Sequence, residues 1–238
     1  MKSGYFKLEK YVSFILSVVL CLTAFAVFYN LKGGGKQVAL YPFADYLVVI
    51  DAGHGGIDGG VVGVKSGARE SEINLAIALK LERVFVDSGV RVVMTRKSSG
   101  GLYGSLSAGH KKRDMQARAK IIKESSPTLL ISIHQNQFSS EQRRGAQVFF
   151  KDGHNESKRL ACVMQEHLNQ VTDTGRHYSA LVGDYYLLNV SPCTAVIVEC
   201  GFLSNPQDEA LLLTSEYQQE LAKTIYSAVL QFLSEQKD

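Results

Sequence analysis

Residues 48–60 read VVIDAGHGGIDGG. An apolar run, begun at Leu47, passes straight into a turn with five glycines, two aspartates and one histidine, His54. The apolar part reads as a strand, Leu47–Ile50. Glycines after it permit a sharp turn and let another group approach the main chain closely. Phosphate loops and metal sites both use such turns. The phosphate reading fails on spacing. From Gly53 the run is G-H-G-G-I-D, with Asp58 standing where GxGxxG needs its last glycine, and no GK[ST] follows. A metal site remains, provided the rest of the chain supplies ligands.

Outward from this turn, helices and strands alternate. Ile73, Ile77, Leu81 and Val84 give an apolar face to a helix over 71–87, and Leu75, Leu79 and Val86 add a second stripe that predicts cover on much of its perimeter. Val90–Thr95 reads as the next strand, residues 100–110 (GGLYGSLSAGH) as a mobile glycine-serine loop, and Lys112–Glu124 as a helix ended by Pro127. Leu129–His134 and Ala146–Phe150 are short apolar strands, Asn155–Val171 is helical, and Tyr185–Val190 and Ala195–Cys200 read as strands. Ser215 with Gln218 three residues on resembles a capping box, opening a last helix through Leu221, Ile225, Val229 and Phe232. The alternation predicts a single α/β domain over residues 46–235, with a mostly parallel twisted sheet covered by helices on both faces.

The first 31 residues differ in kind. Lys2, Lys7 and Lys10 precede YVSFILSVVLCLTAFAVFY (11–29), which carries no charge. As a helix it is ~28 Å long, close to the hydrocarbon thickness of a bilayer, and the leading lysines favour a cytoplasmic N-terminus. It is either an uncleaved signal anchor in the membrane or a signal peptide cut at Ala24-Phe25-Ala26. Either outcome exports the rest. Residues 32–45 (KGGGKQVALYPFAD) read as a linker.

The 238-residue chain is 45% hydrophobic and 21% charged, enough to build a packed core. A net charge of +3 is too mild for a nucleic-acid binder, which concentrates basic residues on one face. Cys21, Cys162, Cys193 and Cys200 show no CxxC spacing, so neither a zinc ribbon nor a disulfide framework is expected. They read as buried small hydrophobes, with a Cys193–Cys200 bridge as the alternative.

In a parallel sheet the C-terminal strand ends share one edge, where open α/β sheets place their sites. Three strands lead there into polar residues: His54 after the first, His134 in LLISIHQN and Glu199 in AVIVECG. A fourth candidate, Glu70, opens the first long helix in ARESEINLA, and Glu72 beside it could serve as well. Singly, each has an ordinary explanation: a turn residue, a strand-end imidazole bonded to backbone, an acidic helix start. Glu199 resists this most, since an acid ending a buried apolar strand needs a partner. Together, two histidines and a carboxylate are a standard ligand set for catalytic zinc.

VIDAGHGGIDGG, RESEINLAIALKLE, VVMTR, SIHQN and VECGFLSNP, in that order, resemble the catalytic domain of the family 3 N-acetylmuramoyl-L-alanine amidases, zinc enzymes that act on peptidoglycan. The likeness spans roughly residues 47–233. It implies that His54, Glu70 and His134 bind Zn2+ and that Glu199 is the catalytic acid/base. It prefers Glu70 to Glu72, because the family's glutamate stands four residues before the NL of the helix, here Asn74-Leu75. The N-terminal anchor, the minimal domain without wall-binding repeats, YYLLN and the KKRD helix start are similar to the germination-specific branch, which acts on spore-cortex peptidoglycan. Two departures stand out. Gln135 replaces the family's usual small residue and is expected to alter substrate contacts or crowd the metal. The segment between His134 and Glu199 is too short for the inhibitory helical insertion of some relatives.

The implied target is the amide between the lactyl group of muramic acid and L-alanine. Zinc polarises a carbonyl and lowers the pKa of a water toward about 7. Glu199 takes a proton from water and hands it to the leaving amine, worth roughly 100- to 10,000-fold. Asp51 either orients an imidazole or caps the glycine turn, and Arg96 and Arg118 read as structural. HKKR (110–113) and Arg143-Arg144 read as solvated surface or as contacts to anionic wall polymer. His110, His154, His167 and His177 look incidental, and Cys200 should face the side of its strand opposite Glu199. Rival readings are a zinc carboxypeptidase acting on wall peptides, a membrane-tethered wall-binding protein with a dormant site, and an amidase that needs a protein activator.

Overall fold

In the computed structural model, which describes residue 23, residues 45–172 and residues 175–235, the run Leu47–Ala52 is strand β1. It pairs in parallel with β2 (Arg91–Met94) on one side and β3 (Leu129–Asn136) on the other, and β3 pairs in parallel with β6 (Thr194–Phe202). β4 (Gln147–Phe150) runs antiparallel to β6, and β5 (Leu181–Val182) parallel to β4, giving the order β2-β1-β3-β6-β4-β5. The sheet is therefore mixed. The link 137–146 holds no helix, so the chain leaves β3 and re-enters the sheet from the same edge, and β4 has to run backwards.

Alternation sorts each strand onto two faces. Val48, Ile50, Leu129, Ile131, Val196 and Val198 join a core with helices α1 (Glu70–Asp87), α3 (Asn155–Val171) and α6 (Ser215–Ser234), through residues such as Ile77, Leu81, Met164, Leu168, Leu221 and Ile225. Val49, Leu130, Ala195 and Ile197 form a thinner second core with Ile122 of α2 (His110–Ser125) and Leu187 and Leu188 of α4 (Tyr186–Val190). Two-residue alternation puts Asp51, Ser132, His134 and Glu199 on this second face, at the C-terminal strand ends.

Several expectations need correcting. Of the second stripe, Leu75 packs partly buried against the core, but Leu79 and Val86 are exposed, because α1 packs from one side on the sheet and α6. Tyr185–Val190 is not a strand: Tyr185 is extended and leads into the short helix α4. Its buried residues Leu187 and Leu188 are adjacent, and a helix turns both inward where a strand would split them between faces. α6 is capped one residue early, by Thr214 Oγ1 accepting from the Tyr217 N–H at 3.3 Å. Gln218 donates to the Leu212 carbonyl at 2.8 Å instead of closing a capping box. Helix α5 (Pro206–Leu212) escapes a periodicity reading, although Asn205-Pro206 spells its start; Asn205 Oδ1 accepts from the N–H groups of Gln207 and Asp208 at 2.9 Å each. Loop 100–110 is pinned by Arg113, which donates to the carbonyls of Tyr103 (3.1 Å), Ser105 (2.8 Å), Ser107 (3.1 Å) and Ala108 (2.7 Å). Cys193 and Cys200 are free thiols, and Cys200 lies buried in the first core, away from Glu199.

The expected anchor (1–31) and linker (32–45) lie outside the described residues, apart from Thr23 and Asp45. Among the described residues no helix is long and apolar enough to cross a membrane.

Candidate metal centre

β1 delivers the chain into the glycine turn, where side chains from elsewhere press on the backbone. A Cβ at Gly53 would sit 2.3 Å from the His134 ring, and one at Gly60 2.3 Å from Glu70 Oε2. The glycines thus admit these two side chains. His54 itself takes φ 60°, a left-handed conformation uncommon for a residue with a Cβ. Two buried arginines hold it there. Arg96 donates to the carbonyls of Ala52 (2.8 Å) and Gly53 (2.9 Å), and Arg118 to those of Ala52 (2.8 Å) and His54 (2.6 Å). Arg118 pairs in turn with Asp51 and Asp114, at 2.6 Å each.

Asp51 neither orients an imidazole nor caps the turn. It is fully buried, anchors Arg118, and accepts from the hydroxyls of Thr95 (2.7 Å) and Ser132 (2.6 Å). Burial alone would raise its pKa, but Arg118 first, then Ser132 and Thr95, hold it at about 2, below the ordinary 3.8. A depressed carboxylate stabilises the fold above its unfolded pKa, so ~2 kcal/mol should be lost as pH falls from about 4 to about 2. Asp51→Ala should cost at least as much, ~2–4 kcal/mol at neutral pH, because the buried Arg118 keeps only Asp114 as counter-charge and the Thr95 and Ser132 hydroxyls lose their acceptor. Urea unfolding measures this, and an unchanged midpoint would show the pair to be dispensable.

α1 begins at Glu70, which is buried, while Glu72 points to solvent. β3 and β6 are in register at His134 and Glu199. The ligand atoms of His54, Glu70 and His134 lie within 4.8 Å of one another, the one such group found among the described residues. His134 Nδ1 is 3.0 Å from Glu70 Oε1, and His54 Nε2 is 3.4 Å from Glu70 Oε2. The backbone N–H groups of Val61 (2.8 Å) and Gln135 (3.1 Å) and the Asn74 amide (3.1 Å) donate to Glu70. Asp58 Oδ2 lies 3.0 Å from His54 Nδ1, off the line of a hydrogen bond but close enough to pair electrostatically behind the ring. Two imidazoles, a carboxylate between them and a second carboxylate behind one ring fit a zinc-type divalent cation.

The charges agree with this geometry. Burial would lower the His54 pKa, but Glu70 and then Asp58 hold it up at about 9. His134 is raised against burial by Glu70 and Glu199. Glu70 is held well below the usual carboxylate range, against burial, by the two imidazoles. Glu199 moves the other way: burial pushes it up to about 7, with His134 opposing and Glu70 adding. It is 8% exposed, and its Oε2 is buried with no hydrogen-bond partner. A free carboxylate oxygen thus sits next to the ligand group.

A motif reading misses the support for Glu70. Gln135 Nε2 donates to Asn74 Oδ1 (3.1 Å), and Asn74 Nδ2 also donates to the Gly53 carbonyl (3.2 Å). Gln135, expected to crowd the metal or touch substrate, is buried and turned toward Asn74. The signal for Asn74 is its place in a helix interior one turn after Glu70, where asparagine is a poor helix former.

A cavity of about 290 Å³ opens over His54 and His134, walled by Tyr103, His110, Lys111 and Tyr185. His154 caps α3 by accepting from the Ser157 N–H (3.1 Å), and His167 and His177 bond at the surface to Gln231 and Asn169.

Residues 48–231 match the family model for N-acetylmuramoyl-L-alanine amidase. The chain is 33% identical over 233 residues to the germination-specific N-acetylmuramoyl-L-alanine amidase of Bacillus subtilis (strain 168), covering 96% of this chain and 97% of that one. The structure of the CwlD amidase from Clostridioides difficile in complex with the GerS lipoprotein aligns with a TM-score of 0.77 at 34% identity, covering 80% of this chain and 99% of that one. The N-acetylmuramoyl-L-alanine amidase from Clostridium difficile 630 gives 0.70 at 29%, covering 79% and 97%. With matches of this extent over the turn, the sheet and the ligand group, the chain belongs to the N-acetylmuramoyl-L-alanine amidase family.

Proposed function

We propose that this chain is a zinc-dependent amidase that cleaves the amide between N-acetylmuramic acid and L-alanine in spore-cortex peptidoglycan, during spore formation or germination. The observation that carries the reading is the convergence of His54, Glu70 and His134 beside a buried Glu199 with a free oxygen. Family membership supports the bond, and likeness to a germination-specific amidase supports the cortex. His54, Glu70 and His134 hold the ion, which when bound polarises a carbonyl and lowers the pKa of water. Glu199 takes the proton of the attacking water and passes it to the departing alanyl nitrogen. Asp58 steadies the His54 ring, and the Arg96 and Arg118 clamp fixes the turn that carries it. Export, a membrane tether through residues 11–29 and a protein partner complete the proposal. The amidase solved with a lipoprotein supports the partner.

Purified protein incubated with cortex and with vegetative sacculi, its muropeptides identified by mass, tests this. The expected products carry a free lactyl carboxyl and an L-alanyl amino terminus, and appear faster from cortex. Trimmed peptides on an intact muramoyl amide would instead mean a carboxypeptidase. Equal rates on both sacculi would remove the cortex assignment.

A further inference from the structure

Arg143 and Arg144 are adjacent but differently employed. Arg144 donates to Asp208 Oδ1 (3.3 Å). Arg143 stacks instead: its guanidinium carbon lies 4.7 Å from the Phe138 ring centre and 5.4 Å from that of Phe202. Among the described residues its guanidinium N–H groups meet no acceptor. Aromatic rings hold the plane and leave the donor fork available, which suits two-point pairing with a carboxylate. Arg143 lines an open basin of about 370 Å³ with Phe138, Ser140, Gln142, Arg176 and Tyr178, and none of the described residues lining it is acidic. Tyr178 Oη is buried with no hydrogen-bond partner. The stacked Arg143 guanidinium, a serine hydroxyl, an amide and an unused phenol make a receptor for an oxyanion.

The place of the basin says which one. Phe202 follows Glu199 by three positions on β6. The pairing with β3 shifts here, from His134 opposite Glu199 to Asn136 opposite Phe202. β6 is therefore irregular between the two, and strict alternation does not set Phe202 on the far face. At ~3.3 Å per residue the stack lies ~7–10 Å from Glu199 along the strand. A peptide with its first nitrogen at Glu199 reaches that far with its second or third residue, at ~3.3–3.6 Å each. We infer that the Arg143 basin binds a carboxylate on the second or third residue of the peptide that departs with L-alanine. The register of that peptide rests on the amidase reading; the anion site rests on the arginine stack.

Calorimetry tests it with the full chain carrying Glu199→Gln, so that ligand survives, and with an N-acetylmuramoyl tripeptide bearing free carboxylates beside its amidated twin. The acid form should bind tenfold or more tighter. Arg143→Gln should erase that difference, and Arg143→Lys should keep part of it. Tyr178→Phe, which removes only the buried hydroxyl, should narrow it without unfolding the chain. Equal binding of the two forms, or a preference that survives Arg143→Gln, overturns the inference. A glycerol-phosphate oligomer that outcompetes the acid peptide through Arg143 would assign the basin to anionic polymer and also overturn it. Failure of the amidase reading shows separately, as no hydrolysis by the protein with Glu199 intact, and leaves the acid-over-amide preference readable.

Discussion

Glu199→Gln should keep both the fold and the bound metal while losing roughly 100- to 10,000-fold in turnover. Glutamine fills the same volume beside His134 but cannot accept a proton on the oxygen that is free in Glu199. The wild-type carboxyl, pushed up to about 7 by burial, works only when ionised. Its turnover should therefore fall as pH drops and the carboxyl protonates. A cation on the neighbouring ligands favours the charged form and moves that limb below 7. The limb should be absent from the residual rate of the glutamine variant. Near-normal turnover with full metal content would show that the proton goes elsewhere.

His54→Ala should abolish metal retention, and hydrolysis with it. Removing this ring leaves one imidazole and one carboxylate, too few to hold zinc in competition with solvent. Elemental analysis should show zinc falling from about one per chain to near none. The fold should survive, because Arg118 grips the His54 carbonyl and not its ring. The same carboxylates that favour a cation also hold a proton on His54 up to about 9. Metal binding has to displace that proton, so zinc retention by the wild type should weaken as pH falls. Wild-type zinc content in His54→Ala would remove the residue from the ligand set.

The candidate site was legible because its members stand where strong periodic signals stop. His134 and Glu199 end apolar strands, and His54 follows one. The two glutamates were separated by the family resemblance, since Glu72 stands in phase with the Leu75–Leu79 stripe that the sequence also predicts to be covered; the structure adds the reason. Glu70 precedes Ile73 by three positions and Ile77 by seven and shares the face that is buried, whereas Glu72 shares the more open face of Leu79. The clamp was not legible. Asp51 and Arg118 are 67 residues apart, and nothing local chooses a partner at that distance. Gln135 looked like a threat to the metal because a sequence gives its position but not the direction of its side chain, which Asn74 decides. The same limit applies to the sheet. Alternating elements predict parallel strands, but the reversal at β4 depends on a link with no helix, and α4 is too short for periodicity to tell from a strand.

Zinc titrated into chelator-stripped protein, with release of L-alanyl peptide followed by mass, tests the metal centre most directly. Hydrolysis should rise in proportion to added zinc and level off at about one ion per chain. Full activity in the stripped protein, or cleavage at a bond other than the muramoyl–alanine amide, would contradict it.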